Sequence, residues 1–361
     1  MDKPMPEMEK PVTEEKKKKK RGCLIVLIIF LVLLVSALIF TSVFVSRMLG
    51  QIEREDEVVE TLTQEEIDEI FNETDPIEVL EESVDPTDVV VEDEEVTTPE
   101  EPAEIVQTGD NVINILLVGQ DSYGTKKRSR TDSMILCTIN KEKKTLTMTS
   151  FMRDLYVKIP GYQDQRLNVP YVLGGFKKLY QTLEYNFGVK VDYGIAVNFS
   201  SFTKVIDAVG GVDIELTKAE AKHLNKQNDE WNLINGVNHL DGEQALAYSR
   251  IRKIDSDFNR TKRQRKVIKA VVNDAKKLSV TELYALVETL IPMVKTDMTD
   301  AEIIGTAVEL APLLMDLEIK TQRIPVDGEY RSRTIRGMSV LVPDAKANRK
   351  FLQKTLGDNN D

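Results

Sequence analysis

The chain has 361 residues and a formal net charge of −12, unevenly placed: residues 1–50 carry 9 basic and 5 acidic side chains, residues 51–110 carry 1 and 24, and residues 111–361 carry 38 and 31. The middle block has a single Phe and cannot bury enough apolar surface to offset its ordering entropy, whereas the 251 residues after it suffice for one large domain. These figures exclude a small soluble enzyme, a coiled coil and a multipass transporter.

Residues 1–22 read as a basic cytoplasmic tail and 23–46 as one transmembrane helix. Leu24–Val45 is 22 residues without a charge; at 1.5 Å per residue it spans about 33 Å, against about 30 Å of hydrocarbon. Lys16–Arg21 precedes the run and only Arg47 follows closely, so the N-terminus is expected inside and residues 47–361 outside the membrane. The run is too long for a cleaved signal peptide and lacks a small-x-small cleavage pattern, which makes it a signal-anchor. Cys23 and Cys137 then lie on opposite sides and cannot pair.

Residues 47–110 read as a disordered acidic linker of roughly 45 Å root-mean-square span, with a weak helical pattern at Thr63–Phe71. The domain proper is expected at 111–361. Strands are predicted at Val112–Gly119, Ser133–Asn140, Thr145–Phe151, Asp192–Asn198, Val212–Leu216, Gln244–Arg252 and Glu318–Pro325. Helices are predicted at Gly174–Phe187, Ser200–Val209, Asn259–Lys277, Thr281–Val294, Thr299–Leu314 and Asp344–Leu356. The alternation argues for an α/β fold, a mixed sheet covered by helices. There is no Walker A or G-x-G-x-x-G pattern, and two histidines, His223 and His239, argue against a zinc cluster or a Ser–His–Asp hydrolase.

Four groups of residues carry possible chemistry. Asp121 and Asp132 flank predicted strand ends; two carboxylates there can hold Mg²⁺ beside phosphate oxygens, or can simply satisfy turn N–H groups. Arg250 and Arg252 share one face if Gln244–Arg252 is extended, and would repel unless an anion lies between them; a solvated edge strand is the alternative. On the helix from Asn259, Arg260 falls about 40° from Gln264, inside the apolar arc of Val267, Ile268, Val271 and Ala275, while Lys262, Lys266 and Lys269 fall opposite. An arginine on that stripe must be paired, for example with Asp257, or aimed at an anion in a cavity. Arg153 adds a cation at the third strand end, or pairs with Asp154.

These pieces, in order, resemble the LytR–CpsA–Psr proteins of bacterial envelopes. The matching stretches are Asn114–Asp121, Arg130–Met134, Arg153-Asp154 with Ile159-Pro160-Gly161, Arg166-Leu167-Asn168 with Tyr171 and Gly174-Gly175, Val209–Val212, Leu240-Asp241-Gly242, Ala245–Arg252, Asp257–Arg260 and Arg263-Gln264. The resemblance implies an α-β-α layered sheet with an apolar pocket for a prenyl chain. It implies a membrane-anchored phosphotransferase moving a teichoic acid- or capsule-like glycopolymer from a polyprenyl pyrophosphate carrier to peptidoglycan. Position by position, it implies Asp121 and Asp132 as the Mg²⁺ pair. It implies Arg130, Arg153, Arg166, Arg250, Arg252, Arg260 and Gln264 as the pyrophosphate set, with Asp121, Asp132 and Arg153 catalytic. Arg166 stands where lysine is usual, Met152 where Pro is, and Leu155 where Thr is. The competing expectation is an extracellular module that binds a lipid pyrophosphate or glycan without transfer. A nucleic-acid partner conflicts with the outward topology and with the lack of interleaved aromatic and basic residues.

Overall fold

The computed structural model describes residues 49–55, 62–72, 98–120, 128–279, part of 282–289, and 291–357. The apolar run Leu24–Val45, Cys23, Asp121 and five of the fourteen residues of the helix expected at Thr281–Val294 lie outside the described residues, and among the described residues no helix is long and apolar enough to cross a membrane. Residues Met1–Gln51 and Ile52–Asp361 form two compact units; the second is described here.

A seven-stranded mixed sheet organises the second unit. Its strands are β1 (Glu53–Arg54), β2 (Val112–Gln120), β3 (Thr131–Asn140), β4 (Thr145–Phe151), β7 (Tyr193–Asn198), β10 (Lys295–Thr296) and β11 (Glu318–Ile324), in the order β1-β10-β7-β2-β3-β4-β11. The two-residue strands β5 (Tyr156–Val157) and β6 (Gln165–Arg166) pair with each other outside it. Strand β2 is antiparallel to β3 and parallel to β7, and β4 is parallel to β11. The two central strands read as continuous apolar runs because both faces are covered. Leu116, Val118, Met134, Leu136 and Phe151 face α2 (Pro170–Phe187) and α8 (Ala345–Leu356). Their neighbours Ile115, Leu117, Ile135 and Cys137 face the opposite way, toward Ile268 and Val272 of α6 (Asp257–Ala275). Helices on both faces make this the layered α/β arrangement that the sequence implied. Burial pushes the Cys137 thiol up to about 12, so it behaves as a small apolar side chain.

A smaller apolar cluster lies beside the sheet. It joins α3 (Phe199–Ala208), the β8 (Val212–Leu216)–β9 (Gly236–Leu240) hairpin, α4 (Lys218–Asn225), α5 (Gly242–Ser249) and one side of α6. Here one expectation fails. Gln244–Arg252 is not a strand: it is α5 followed by a turn, with Arg250 as the C-cap. Asp241 and Gln244 form a capping box at its start, and Ala245-Leu246-Ala247 favours helix.

The stretch expected to be a tether throughout contains ordered pieces. Strand β1 extends the sheet, and α1 (Gln64–Asn72) has a capping box between Thr63 and Glu66. Leu62, Ile70 and Phe71 pack on the main core, so these few apolar residues find surface already built by the domain. The helix expected at Thr299–Leu314 is α7 (Asp300–Leu310), capped by Thr299 and continued as a 3₁₀ turn over Ala311–Asp316. Beyond β11, the hairpin β12 (Tyr330–Ile335)–β13 (Met338–Pro343) was not anticipated; its turn uses positive φ at Arg336 and Gly337.

Candidate active site

The C-terminal ends of β2 and β4 and the start of β3 meet at one edge of the sheet. The β2–β3 register shifts between Gly119 and Gln120, and a Cβ on Gly119 would sit 3.0 Å from that of Ser133. A glycine there lets the strands close while the bulge redirects the chain beyond it. Asp132, the second residue of β3, is half-buried at this edge.

Three arginines from three elements converge on Asp132. Arg153, just past β4, donates Nη1 to Oδ1 at 2.9 Å. Arg252, in the turn after α5, donates Nη2 to Oδ2 at 3.0 Å. Arg260, 2% exposed on α6, donates Nη1 to the Asp132 carbonyl at 2.8 Å, and Nε and Nη2 to Asp257 at 2.5 and 2.9 Å. Arg260 thus has its structural partner and reaches the edge as well. Arg153 also pairs with Asp154 at 3.4 Å, and Arg166 reaches Asp154 at 3.5 Å. Burial favours the neutral acid at Asp132, but Arg153, Arg260 and Arg252 outweigh it and hold the carboxyl below its ordinary value of 3.8. Asp257 is held low the same way, chiefly by Arg260 against its burial. At Asp154 burial prevails over Arg153 and the carboxyl is raised. Burial and repulsion from Arg260 and Arg153 lower Arg252.

Behind this cluster opens a cavity of about 1100 Å³. Asp132, Arg250, Arg252, Arg260 and Gln264 line it together with an aliphatic wall: Leu117, Ile135, Ile195 and Val197 from the sheet, Ile206, Leu246 and Val271 from the helices. Gln264, on the core side of α6 as the helical wheel implied, accepts from Ser133 Oγ at 3.1 Å. Arg250 does not share a strand face with Arg252; its guanidinium lies 4.3 Å from the centroid of the Phe199 ring. Arg130, on the stretch that leads into Asp132, donates Nη2 to the Ile70 carbonyl at 3.0 Å. The three sequence departures are accommodated: Met152 and Leu155 are core residues, and Arg166 is buried against Asp154.

Sequence reasoning gave Arg263 no role. It is 4% exposed and binds Glu220 through Nε at 2.7 Å, the Ile251 carbonyl and Asp255 through Nη1 at 3.1 Å each, and Asp255 again through Nη2. It therefore fixes the turn that carries Arg250 and Arg252. Its place on the flank of the α6 apolar arc was the available signal.

What the arrangement can do is bind an anion at the edge and an apolar chain behind it. Asp132 is the carboxylate of the described edge suited to a cation: each oxygen accepts one hydrogen bond and keeps a lone pair. Among the described residues there is no group of three or more His, Cys, Asp or Glu arranged to hold a metal ion.

Comparison with known proteins supplies the relationship. Residues 80–356 match the LytR_cpsA_psr family. The polyisoprenyl-teichoic acid–peptidoglycan teichoic acid transferase TagT of Bacillus subtilis (strain 168) is 30% identical over 257 residues, 69% of this chain and 78% of TagT. The structure of TagT bound to LIIa-WTA aligns with a TM-score of 0.58 at 27% identity, covering 71% of this chain and 95% of that one. The structure of YwtF (TagT) with bound octaprenyl pyrophosphate lipid aligns with a TM-score of 0.53 at 25% identity, covering 72% and 97%. With its motifs, its sheet and its family match in agreement, the chain belongs to the LytR–CpsA–Psr family.

Proposed function

We propose that the protein is a membrane-anchored phosphotransferase that moves a teichoic acid- or capsule-like glycopolymer from a polyprenyl pyrophosphate carrier to peptidoglycan. The observation that carries this reading is the joining of a large aliphatic cavity to an arginine-lined mouth, a shape matched to a lipid whose only charges are at its head. The relatives named for teichoic acid transfer, and the TagT structure with a prenyl pyrophosphate lipid, support the same substrate class.

In this mechanism the wall holds the prenyl chain, and Arg153, Arg252 and Arg260 orient the pyrophosphate with Arg250, Gln264 and, on leaving the Ile70 carbonyl, Arg130. An acceptor hydroxyl attacks the sugar-proximal phosphorus in line. The new P–O bond forms as the phosphoanhydride breaks, and polyprenyl phosphate leaves with its charge held by the guanidiniums. Positioning and electrostatics supply most of the acceleration. The hydroxyl proton needs a base, and Asp132 is unsuited because both oxygens accept from arginines that keep it ionised. Asp121, the next residue in sequence after β2, is the candidate. Mg²⁺ is suited by one or two carboxylates plus substrate phosphate oxygens; Asp132 with Asp121 would hold it, and when bound it neutralises phosphate charge.

The domain faces outward, with the N-terminus in the cytoplasm of a bacterium. Protease added to protoplasts should then remove it, and full protection refutes that topology. For the reaction, the full chain is incubated with radiolabelled lipid-linked glycan and peptidoglycan fragments. Label should pass to the fragments through a phosphodiester with release of polyprenyl phosphate, in a Mg²⁺-dependent way. Tight Mg²⁺ binding without lipid refutes ligand-dependent metal recruitment. Lipid binding without release, across metals and acceptors, makes the protein a binding module instead.

A further inference from the structure

The residues just ahead of the family match are attached to the catalytic unit in a specific way. Strand β1 lies parallel to β10, with Glu53 opposite Lys295 and Arg54 opposite Thr296, and the Glu55 N–H donates to the Thr296 carbonyl at 3.0 Å. Arg54 binds the Met298 carbonyl and Asp300. The Glu55 side chain is only 8% exposed. A carboxylate taken from water needs partners, and two are present: Oε1 accepts from Arg128 Nε at 3.2 Å, and Oε2 from the backbone N–H of Phe176 at 2.9 Å.

The second contact exists because α2 is broken. Gly174 and Gly175 have non-helical backbone angles, with φ +60° at Gly175, so Phe176 starts a new helical run and its N–H points out of the helix. A Cβ on Gly175 would lie 2.4 Å from the Glu55 carboxylate. The glycine pair therefore opens a seat for a carboxylate at a helix start, where negative charge is favoured. A further attachment comes from α1, whose Ile70 carbonyl takes Arg130 while Phe71 stacks on Tyr162 at 6.2 Å. Both Arg128 and Arg130 lie on the stretch leading into Asp132.

We propose that Glu55 is a positioning residue for the pyrophosphate site, acting through Arg128 to fix the 128–130 stretch from which Arg130 and Asp132 are presented. This rests on the proposed function and on Arg130 belonging to its pyrophosphate set, as the family resemblance implies. Glu55 itself touches no substrate. It makes the segment next to the anchor a working part of the catalytic unit rather than a spacer.

The test uses the full chain in lipid nanodiscs, with a polyprenyl pyrophosphate as probe and amide hydrogen exchange as a second readout. Glu55→Ala should weaken binding about tenfold, the scale of one charge-assisted hydrogen bond, and speed exchange at residues 128–131 and at Phe176. In an Arg130→Ala background the same change should weaken binding no further. Glu55→Gln keeps an acceptor for Phe176 and loses the ion pair, so it should fall between; it carries the comparison if the alanine variant does not fold. Unchanged affinity overturns the proposal, as does an equal loss with and without Arg130 where Arg130→Ala itself weakens binding. If Arg130→Ala alone binds like the parent, the assignment of Arg130 to the pyrophosphate fails. Exchange then decides: faster exchange at 128–131 in Glu55→Ala sustains the positioning role, and unchanged exchange refutes it.

Discussion

At the mouth of the cavity, Arg153, Arg166, Arg252 and Arg260 interlock with Asp132, Asp154 and Asp257, and most of these groups hold two partners at once. Deeper in the cavity the wall is aliphatic: Leu117, Ile135 and Val197 from the sheet, Leu246 and Val271 from the helices. The wall acts by area, so its contributions are graded and tolerate substitution. The mouth acts as a network in which each charge is set by its neighbours, so single changes propagate. Four experiments would break or sharpen this contrast.

The largest effect is expected at Asp132. Asp132→Ala removes the common partner of Arg153 and Arg252 and releases their mutual repulsion into the anion site. Release of polyprenyl phosphate should fall by about 10²-fold or more; a loss under tenfold would make the mouth as tolerant as the wall. Next comes Arg260→Ala, which leaves Asp257 buried without its main partner. Urea unfolding should show a loss of about 3–5 kcal/mol, and a second change, Asp257→Asn, should restore part of it. Lipid affinity should drop by about 1.5–3 kcal/mol. An Arg260→Ala protein of normal stability would show that the pair is not acting as a unit.

A wall substitution should behave differently. Val271→Phe narrows the chamber, and each methylene kept out of it should cost about 0.8 kcal/mol of lipid affinity. Isothermal titration should show long prenyl pyrophosphates weakened and a farnesyl analogue with the same head unchanged. Equal loss for both would place the defect at the mouth. The smallest effect lies away from the cavity. His239 bonds Asp213 and the Gly210 carbonyl at 2.8 Å each, and the Asp213 hydrogen bond, then that of Gly210, raises its pKa above 6.5. A raised pKa means the stabilisation is complete below pH 6.5 and is lost as pH rises through the folded value. Both partners are exposed, so the change should be a few tenths of a kcal/mol. Thermal melts of His239→Gln should lack that pH dependence.

The sheet was largely legible because the central strands carry their burial as unbroken apolar runs, and because Lys141–Lys144 marks the β3–β4 turn. The position of Arg260 was legible too, since a helical wheel separates a buried charge from the lysines opposite. What could not be read was how the arginines share their partners. Arg153 and Arg252 come from turns that are adjacent only after the sheet forms, and both meet an aspartate that lies 21 and 120 residues away in sequence. The strand expected at Gln244–Arg252 missed the Asp241–Gln244 capping box, which marks a helix start. The acidic block misled in a similar way. Its composition predicts solvation, but Glu55 is an exception, seated by Arg128 and by the Gly174–Gly175 break.

Arg250 differs from the other arginines of the mouth. It rests on the Phe199 ring and, among the described residues, has no carboxylate within ion-pairing distance. Leaving an aromatic face costs about 0.5–1 kcal/mol, far less than dismantling a buried ion pair. An incoming head group therefore meets one guanidinium that can swing at once and several that are already committed. Under the proposed function, capture and alignment would be separable events: the loosely parked arginine would govern how fast the lipid is caught, and the interlocked ones how accurately its phosphorus is presented.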